Sequence, residues 1–479
     1  MPHRRSRFTP APDSPSGELA AALAELRRAL ELPTGFADDV LAEADAAARD
    51  VPTDPAAGLA DLRDVEFLTI DPAGSTDLDQ ALHLERAATG GTLHYAIADV
   101  PAFVAPGGAV DAEARRRGQT MYAPDGRIPL HPPVLSEGAA SLLPGVDRRA
   151  FVWRFVLDEG ARPVEATLTR AVIRSREQWS YEDAQRAIDA GTAPSSLSAM
   201  PWFGGERAER ERERGGASLN LPEVRVVADD GRYRLERSEG VPLEDWNAQV
   251  SLLTGMAAAE IMLRGRVGIL RTMPPATDAD LAQFRARTVA LGLPWPEGIP
   301  YGDYLRGLDR SPAARAVMEY AGGLFRGAGY VAFDGEPPAE TTQAAIAAPY
   351  AHATAPLRRL VDRWALVICE ALANGREVPA WARESLEDLP ALMAHSSSLA
   401  GRLDAGGIDR IEAALLHGRE GEVFDGIVLA ARGDGALVQL ADPPVEAKVS
   451  SLDAAPGSSV RLRLVAASIP DGKLEFEVT

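Results

Sequence analysis

The stretch from Phe67 to Leu82, FLTIDPAGSTDLDQAL, constrains the chain more than any other. An apolar run, FLTI, leads straight into Asp71; a Pro, Gly and Ser loop follows, and Asp77 and Asp79 come two residues apart, on the same side of an extended segment. Three carboxylates therefore converge within nine residues at the end of a strand. Like charges packed together cost stability unless a cation neutralises them, and all-oxygen ligands suit Mg²⁺ or Mn²⁺ rather than zinc. In phosphodiester hydrolysis such a metal, or a pair about 3.5 to 4 Å apart, activates a water and stabilises the leaving oxygen. An Asp-rich surface loop with Asx turns fits the spacing equally well, so the rest of the chain has to decide.

From about residue 65, runs such as VEFLTI, LHYAIADV and AFVWRFVL, separated by Gly, Pro and Asp clusters, predict a β-rich first half. Helix-length apolar patterns over 243–265, 277–291, 311–328 and 356–374 predict an α-helical second half, and the central domain, residues 65–410, is α+β. After about Gly421 the text returns to short strands (EVFDGIVLAAR, GALVQLA, VRLRLVAASI, KLEFEV), which predicts an independent five-stranded barrel over 418–479. Residues 17–50 carry helical periodicity, with Leu19, Ala22, Leu23, Leu26 and Leu30 on one face, a break at Pro33-Thr34-Gly35, and a second run through Val40, Leu41 and Ala44. This predicts a helix-turn-helix-like module over 1–60, of a kind that packs on a neighbour or touches nucleic acid. The charge run GGERAERERERGGA, 204–217, reads as an exposed helical or mobile connector.

At 479 residues, with 46% hydrophobic and 25% charged, the chain has the composition of a folded protein with more than one unit. A formal net charge of -20 repels a polyanion as a whole, so contact with nucleic acid has to come from arginines clustered in a cleft. Lys448 and Lys473 are the two lysines, and the other 48 of the 50 basic residues are arginine, as GC-rich coding produces. Cys369 stands alone, which excludes a disulfide framework or thiolate metal site and suits a reducing cytoplasm. The polar start, Met1 to Pro10, and the lack of an apolar run near ~20 residues argue against secretion and a membrane span.

TIDPAGSTDLDQAL resembles the signature of the ribonuclease II and ribonuclease R (RNB) family, TIDP-x5-DLDDA. YAIADVPAFVAPGGAVD from Tyr95, Arg116-Arg117-Gly118, Tyr122 to Asp125, Ile128-Pro129, LSEGAASLLPGVDR from Leu135 and YAHATAPLRRLVD from Tyr350 follow in the family's order. The resemblance spans roughly 65–410, and the C-terminal barrel resembles an S1-type OB-fold. The N-terminal 60 residues read as helical, unlike the cold-shock barrels of many members. The resemblance implies a cytoplasmic, Mg-dependent (Mn possible) 3′→5′ exoribonuclease that degrades single-stranded RNA processively to nucleoside 5′-monophosphates, as a monomer with no obligatory protein partner. Asp71, Asp77 and Asp79 match three motif aspartates, Tyr122 an aromatic that stacks near the terminal nucleotide, and Arg358 an arginine on the scissile phosphate. Tyr350, His352 and Arg359 are its neighbours, expected at the substrate, with His352 a hydrogen-bonding neighbour rather than a ligand.

Gln80 stands where the family has its fourth aspartate; its amide oxygen can ligate Mg²⁺ but brings no charge and cannot act as a base. By a looser alignment Leu219 takes the place of a stacking phenylalanine, and Asn247 lies near a position that is often glutamate. Two readings follow: an active exoribonuclease, or a weakened or inactive RNB-family protein that binds RNA and regulates. Gln80 favours the second; retention of Asp71, Asp77, Asp79 and Arg358 together favours the first.

Overall fold

Strands Phe67–Asp71, Gln80–Ala87, Gly90–Ala98, Asp147–Leu157 and Pro163–Ser180 form one sheet, and the last of them closes it into a ring. Pro163–Ser180 is 18 residues long: its first part pairs antiparallel with Asp147–Leu157, and Ser175 to Ser180 run parallel to Phe67–Asp71. Closure removes the exposed edges of these strands. The computed structural model describes residues 16–55, 58–217, 223–229, 232–238, 240–309, 311–324 and 326–479.

Both faces of the sheet are covered. Leu68, Ile70, Leu82, Tyr95, Ile97, Trp153 and Phe155 join a core shared with the helices. Phe67, Ala81, Ala96, Ala150, Val152 and Ile173 join another, which takes in Val40 and Ala44 of helix Asp38–Asp50. Two dry faces explain why AFVWRFVL is apolar at consecutive positions instead of alternating.

Helices Met200–Arg214, Pro242–Gly265 and Leu360–Ala373 pack on this sheet, the last buried from Leu360 to Ala371. The helix expected over 356–374 starts only at Leu360, because residues 356–359 form the turn that presents two arginines. The expected 311–328 helix is Pro312–Gly322, and 277–291 is Asp278–Ala290, capped by the Thr277 side chain. The charge run at 204–217 takes the helical of its two expected forms, as most of helix Met200–Arg214, but only one side of it is exposed: Gly204, Arg207 and Glu211 are buried, next to the buried Phe203. A Cβ at Gly204 would collide with the Trp246 ring, so glycine lets the two helices meet.

The C-terminal strands Val423–Arg432, Gly435–Leu440, Glu446–Ser450, Ser459–Ser468 and Lys473–Val478 form the expected five-stranded antiparallel sheet. Its core continues into Leu19, Ala22 and Leu23 of helix Ser16–Ala29 and Ile411 and Leu416 of helix Leu389–Leu416. The two N-terminal helices take different partners: the first packs on Leu389–Leu416, while Glu43 of the second accepts from the N–H groups of Ala109 (2.6 Å) and Val110 (3.3 Å), capping helix Ala109–Arg117 from outside. Among the described residues no helix is long and apolar enough to cross a membrane.

Gly255, in the middle of Pro242–Gly265, lies against the Tyr350 ring, and a Cβ there would come within 2.6 Å of the Ala351 carbonyl oxygen. An alanine in a helix interior normally stabilises by about 1 kcal/mol; here the collision reverses the sign. Denaturant unfolding of Gly255→Ala is expected to show a loss of about 1–3 kcal/mol. Gly205→Ala, with open space around it, is expected to gain up to about 1 kcal/mol. A neutral or stabilising Gly255→Ala would mean that this helix does not seat Tyr350.

Candidate active site

The carboxylate loop is held from three directions. Asp71 ends its strand opposite Ser180. Beyond it, Ser141 Oγ donates to the Thr76 carbonyl (2.7 Å) and accepts from the Leu78 N–H (2.9 Å), the Leu142 N–H donates to the Leu78 carbonyl (3.0 Å), and Gln178 Nε2 donates to the Ser75 carbonyl (2.8 Å). Leu78, fully buried between Asp77 and Asp79, anchors the loop, so these two aspartates flank a fixed point.

Opposite this loop lies the turn before helix Leu360–Ala373. Asp362, buried in the first turn of that helix, accepts from the N–H groups of Thr354 (2.8 Å) and Ala355 (2.7 Å) and from Arg359 Nε (2.8 Å) and Nη2 (2.7 Å). One carboxylate therefore shapes the whole turn. Arg358 is left to face the loop: its Nε donates to Asp79 Oδ2 (2.8 Å) while the Leu357 N–H donates to Asp79 Oδ1 (2.7 Å). Gln80 Nε2 adds a bond to the Thr354 carbonyl. From the far side, the Thr120 N–H donates to the Arg358 carbonyl and the Leu360 N–H to the Gly118 carbonyl.

Asp79 is 1% exposed, and burial pushes its carboxyl up to about 6 against the pull of Arg358 and the Leu357 N–H. Burial works against the Arg358 charge as well, but Asp79 outweighs it and holds the guanidinium well above its ordinary range. The pair is ionic at neutral pH. Asp77 binds Arg127 Nη1 (2.5 Å), whose Nη2 reaches Glu137 (2.8 Å). Asp71 is near enough for its charge to act on Arg358. Tyr122, 48% exposed, pairs across a hairpin with Arg127.

The structure thus joins Asp79 to Arg358 and brings Asp71, Asp77 and Tyr122 around them. It places the other predicted residues differently. Arg359 is engaged by Asp362, not by the loop. His352 Nδ1 pairs with the Tyr330 hydroxyl (2.7 Å), and Tyr350, 8% exposed, stacks edge-on to His352. Burial, with Arg359 and Arg271 nearby, holds His352 well below the ordinary histidine range, so it is neutral and brings no charge to the site. Asn247 Nδ2 donates to the Tyr181 hydroxyl (3.0 Å). Leu219 lies outside the described residues. Sequence reasoning missed Arg127, although its place opposite Tyr122, five residues on, is what a two-residue hairpin turn dictates. It also missed Asp362 as the organiser of the arginine turn.

Among the described residues, no three His, Cys, Asp or Glu side chains gather closely enough to hold a metal ion, so the three-aspartate cage expected from spacing is not preformed. Arg127 and Arg358 balance Asp77 and Asp79 instead. The donor chemistry still fits: Mg²⁺ is commonly held by one or two carboxylates plus substrate phosphate and water, not by an all-protein cage.

Residues 59–373 match the RNB domain, and residues 422–479 match the RNase II-type exonuclease C-terminal S1 domain. The chain belongs to the RNB family. It is 28% identical over 439 residues to Ribonuclease R of Escherichia coli, covering 84% of this chain and 53% of that one. To the human Exosome complex exonuclease RRP44 it is 29% identical over 327 residues, 63% and 33% of the two chains. The chain thus spans about half the length, or less, of these curated relatives. Its fold matches Mycoplasma genitalium RNase R in complex with ribose-methylated single-stranded RNA, with TM-score 0.88, 17% identity and coverage of 97% and 78%. It also matches yeast Ssd1, a pseudonuclease, with TM-score 0.71, 16% identity and coverage of 91% and 56%.

Within this RNB fold His131 is 2% exposed and bonded to the Pro356 carbonyl, next to the arginine turn. Burial, then the charge of Arg363, lowers its pKa from 6.5 to about 3. A depressed histidine contributes stability that is complete above about 6.5 and is lost as pH falls toward 3, by up to about 1.4 kcal/mol per pH unit. The difference in unfolding free energy between wild type and His131→Gln is therefore expected to shift against wild type on acidification from pH 6.5. A pH-independent difference would mean that His131 is not buried as a neutral ring.

Proposed function

We propose that this RNB-family chain is a divalent-metal-dependent 3′→5′ exoribonuclease that hydrolyses single-stranded RNA processively to nucleoside 5′-monophosphates. The observation that carries the reading is the Asp79–Arg358 contact, which presents a guanidinium beside the carboxylate loop. Arg358 spends its Nε on Asp79 and keeps a side chain 31% exposed, so its two Nη groups suit the oxygens of a scissile phosphate and the charge that develops there. The exposed ring of Tyr122 supplies a stacking face for an unpaired terminal base. Asp71, Asp77, Asp79 and the amide oxygen of Gln80 are the residues that would hold Mg²⁺ or Mn²⁺. When bound, such an ion lowers the pKa of water and offsets phosphate charge. The names of the relatives, Ribonuclease R and Exosome complex exonuclease, support the same reaction class.

A second reading, an RNA binder with a decayed site, is favoured by Gln80, whose amide is tied to the Thr354 carbonyl, and by the likeness to the pseudonuclease Ssd1. One assay separates the two. With 5′-labelled single-stranded RNA and Mg²⁺, the wild type is expected to shorten the strand with release of mononucleotides, and EDTA is expected to stop it. Asp79→Asn is expected to slow turnover by roughly 100-fold or more while RNA affinity stays within a few-fold, because binding is spread over many contacts. Retention of a tenth of the rate by Asp79→Asn would remove Asp79 from the chemistry.

Gln80→Asp tests the fourth position. It loses the bond to Thr354 and adds a carboxylate next to Asp79, so the metal-free protein is expected to lose about 1–2 kcal/mol while less Mg²⁺ suffices for half-maximal activity. An inert wild type beside an active Gln80→Asp would establish the second reading.

A further inference from the structure

Tyr122 and Arg127 sit on a hairpin of two three-residue strands, Met121–Ala123 and Gly126–Ile128. A two-stranded hairpin is at best marginally stable in water. This one is supported through its other face. Met121, Ala123 and Ile128 are buried in a cluster with Leu26, Leu30 and Leu32, which belong to helix Ser16–Ala29 and the residues just after it, and with Leu403 of helix Leu389–Leu416. The tip is held as well. Arg27 Nη2 donates to Asp125 Oδ1 at 2.6 Å, the two side chains being 28% and 18% exposed. Beneath the tip, Pro124 rests on Gly407, where a Cβ would come within 2.8 Å of the proline ring.

The strand alternation thus divides the ribbon: one face is fastened to the N-terminal helix, and the other carries the exposed Tyr122 ring and the Arg127 that binds Asp77. The geometry points to helix Ser16–Ala29 as a clamp that sets where Tyr122 stands for the 3′-terminal nucleotide, with Arg27 as its positioning residue. This rests on the exoribonuclease reading for the identity of the ligand. It gives the N-terminal helix a task at the active site beyond covering the barrel core.

Two measurements on the full chain test it. Arg27→Ala is expected to raise amide exchange over residues 121–128, leaving Asp147–Leu157 unchanged, and Arg27→Lys or the swap Arg27→Asp with Asp125→Arg is expected to restore protection. Unchanged exchange in the hairpin would overturn the clamp. In EDTA, so that nothing turns over, Arg27→Ala is expected to weaken binding of a five-nucleotide single-stranded RNA by up to about fivefold, the equivalent of about 1 kcal/mol for a partly exposed ion pair. The loss is expected to vanish in a Tyr122→Ala background, because the helix acts through that ring. Additive losses would overturn the proposal. A wild type that binds no RNA would sink the exoribonuclease reading, and the exchange result would still decide whether the helix holds the hairpin.

Discussion

Asp79 is a carboxylate removed from water between two halves of a domain, and a charge so placed is tolerated only with donors on both oxygens. Those donors, the Leu357 N–H and Arg358 Nε, come from nearly 280 residues further along the chain. The start of strand Gln80–Ala87 and the turn before helix Leu360–Ala373 are therefore obliged to meet. Removing the Arg358 donor would leave the buried Asp79 charge uncompensated, at about 3–5 kcal/mol. The bonds from Gln80 to Thr354, from Thr120 to Arg358 and from Leu360 to Gly118 are the surroundings that this contact requires.

The same logic shows how a chain of net charge -20 could take the polyanionic substrate proposed for it. Arginines at the site are each tied to a carboxylate: Arg127 to Asp77, Arg358 to Asp79, Arg359 to Asp362, and the buried Arg363 to Asp111 at 2.5 Å. A guanidinium offers five donors in a fixed plane, so one edge can satisfy a carboxylate while another stays available. A local field for phosphate can then exist inside an acidic molecule, because what matters at a few ångströms is the nearest charge.

Much of the α+β architecture was legible because period-2 and period-3.6 patterns report directly on which faces are dry. The five C-terminal strands, helix Pro242–Gly265 and the strand ending at Asp71 follow from pattern alone. The charge run at 204–217 misled, since charge predicts exposure only where no neighbour intrudes, and the packing of Gly204 on Trp246 buries one side of that helix. Pattern likewise did not show what the C-terminal sheet shares its core with. Leu19 and Leu23 announce an apolar face, but a face does not name the surface that will cover it.

At the site the division is similar. Residue types in order, TIDP through DLDQ and then TAPLRR, picked out the candidate groups: three carboxylates, an amide at position 80, an aromatic and an arginine pair. Only the tertiary structure decided how they are matched. Arg358 goes to Asp79 and Arg359 to Asp362, although the two arginines are adjacent and alike, because Asp362 gathers the Thr354 and Ala355 N–H groups and so sets the direction in which each guanidinium leaves the turn. Likewise Asp77 finds Arg127 on a hairpin that packs against the N-terminal helix. Such pairings depend on distances between segments far apart in the chain, and local pattern carries no measure of those distances.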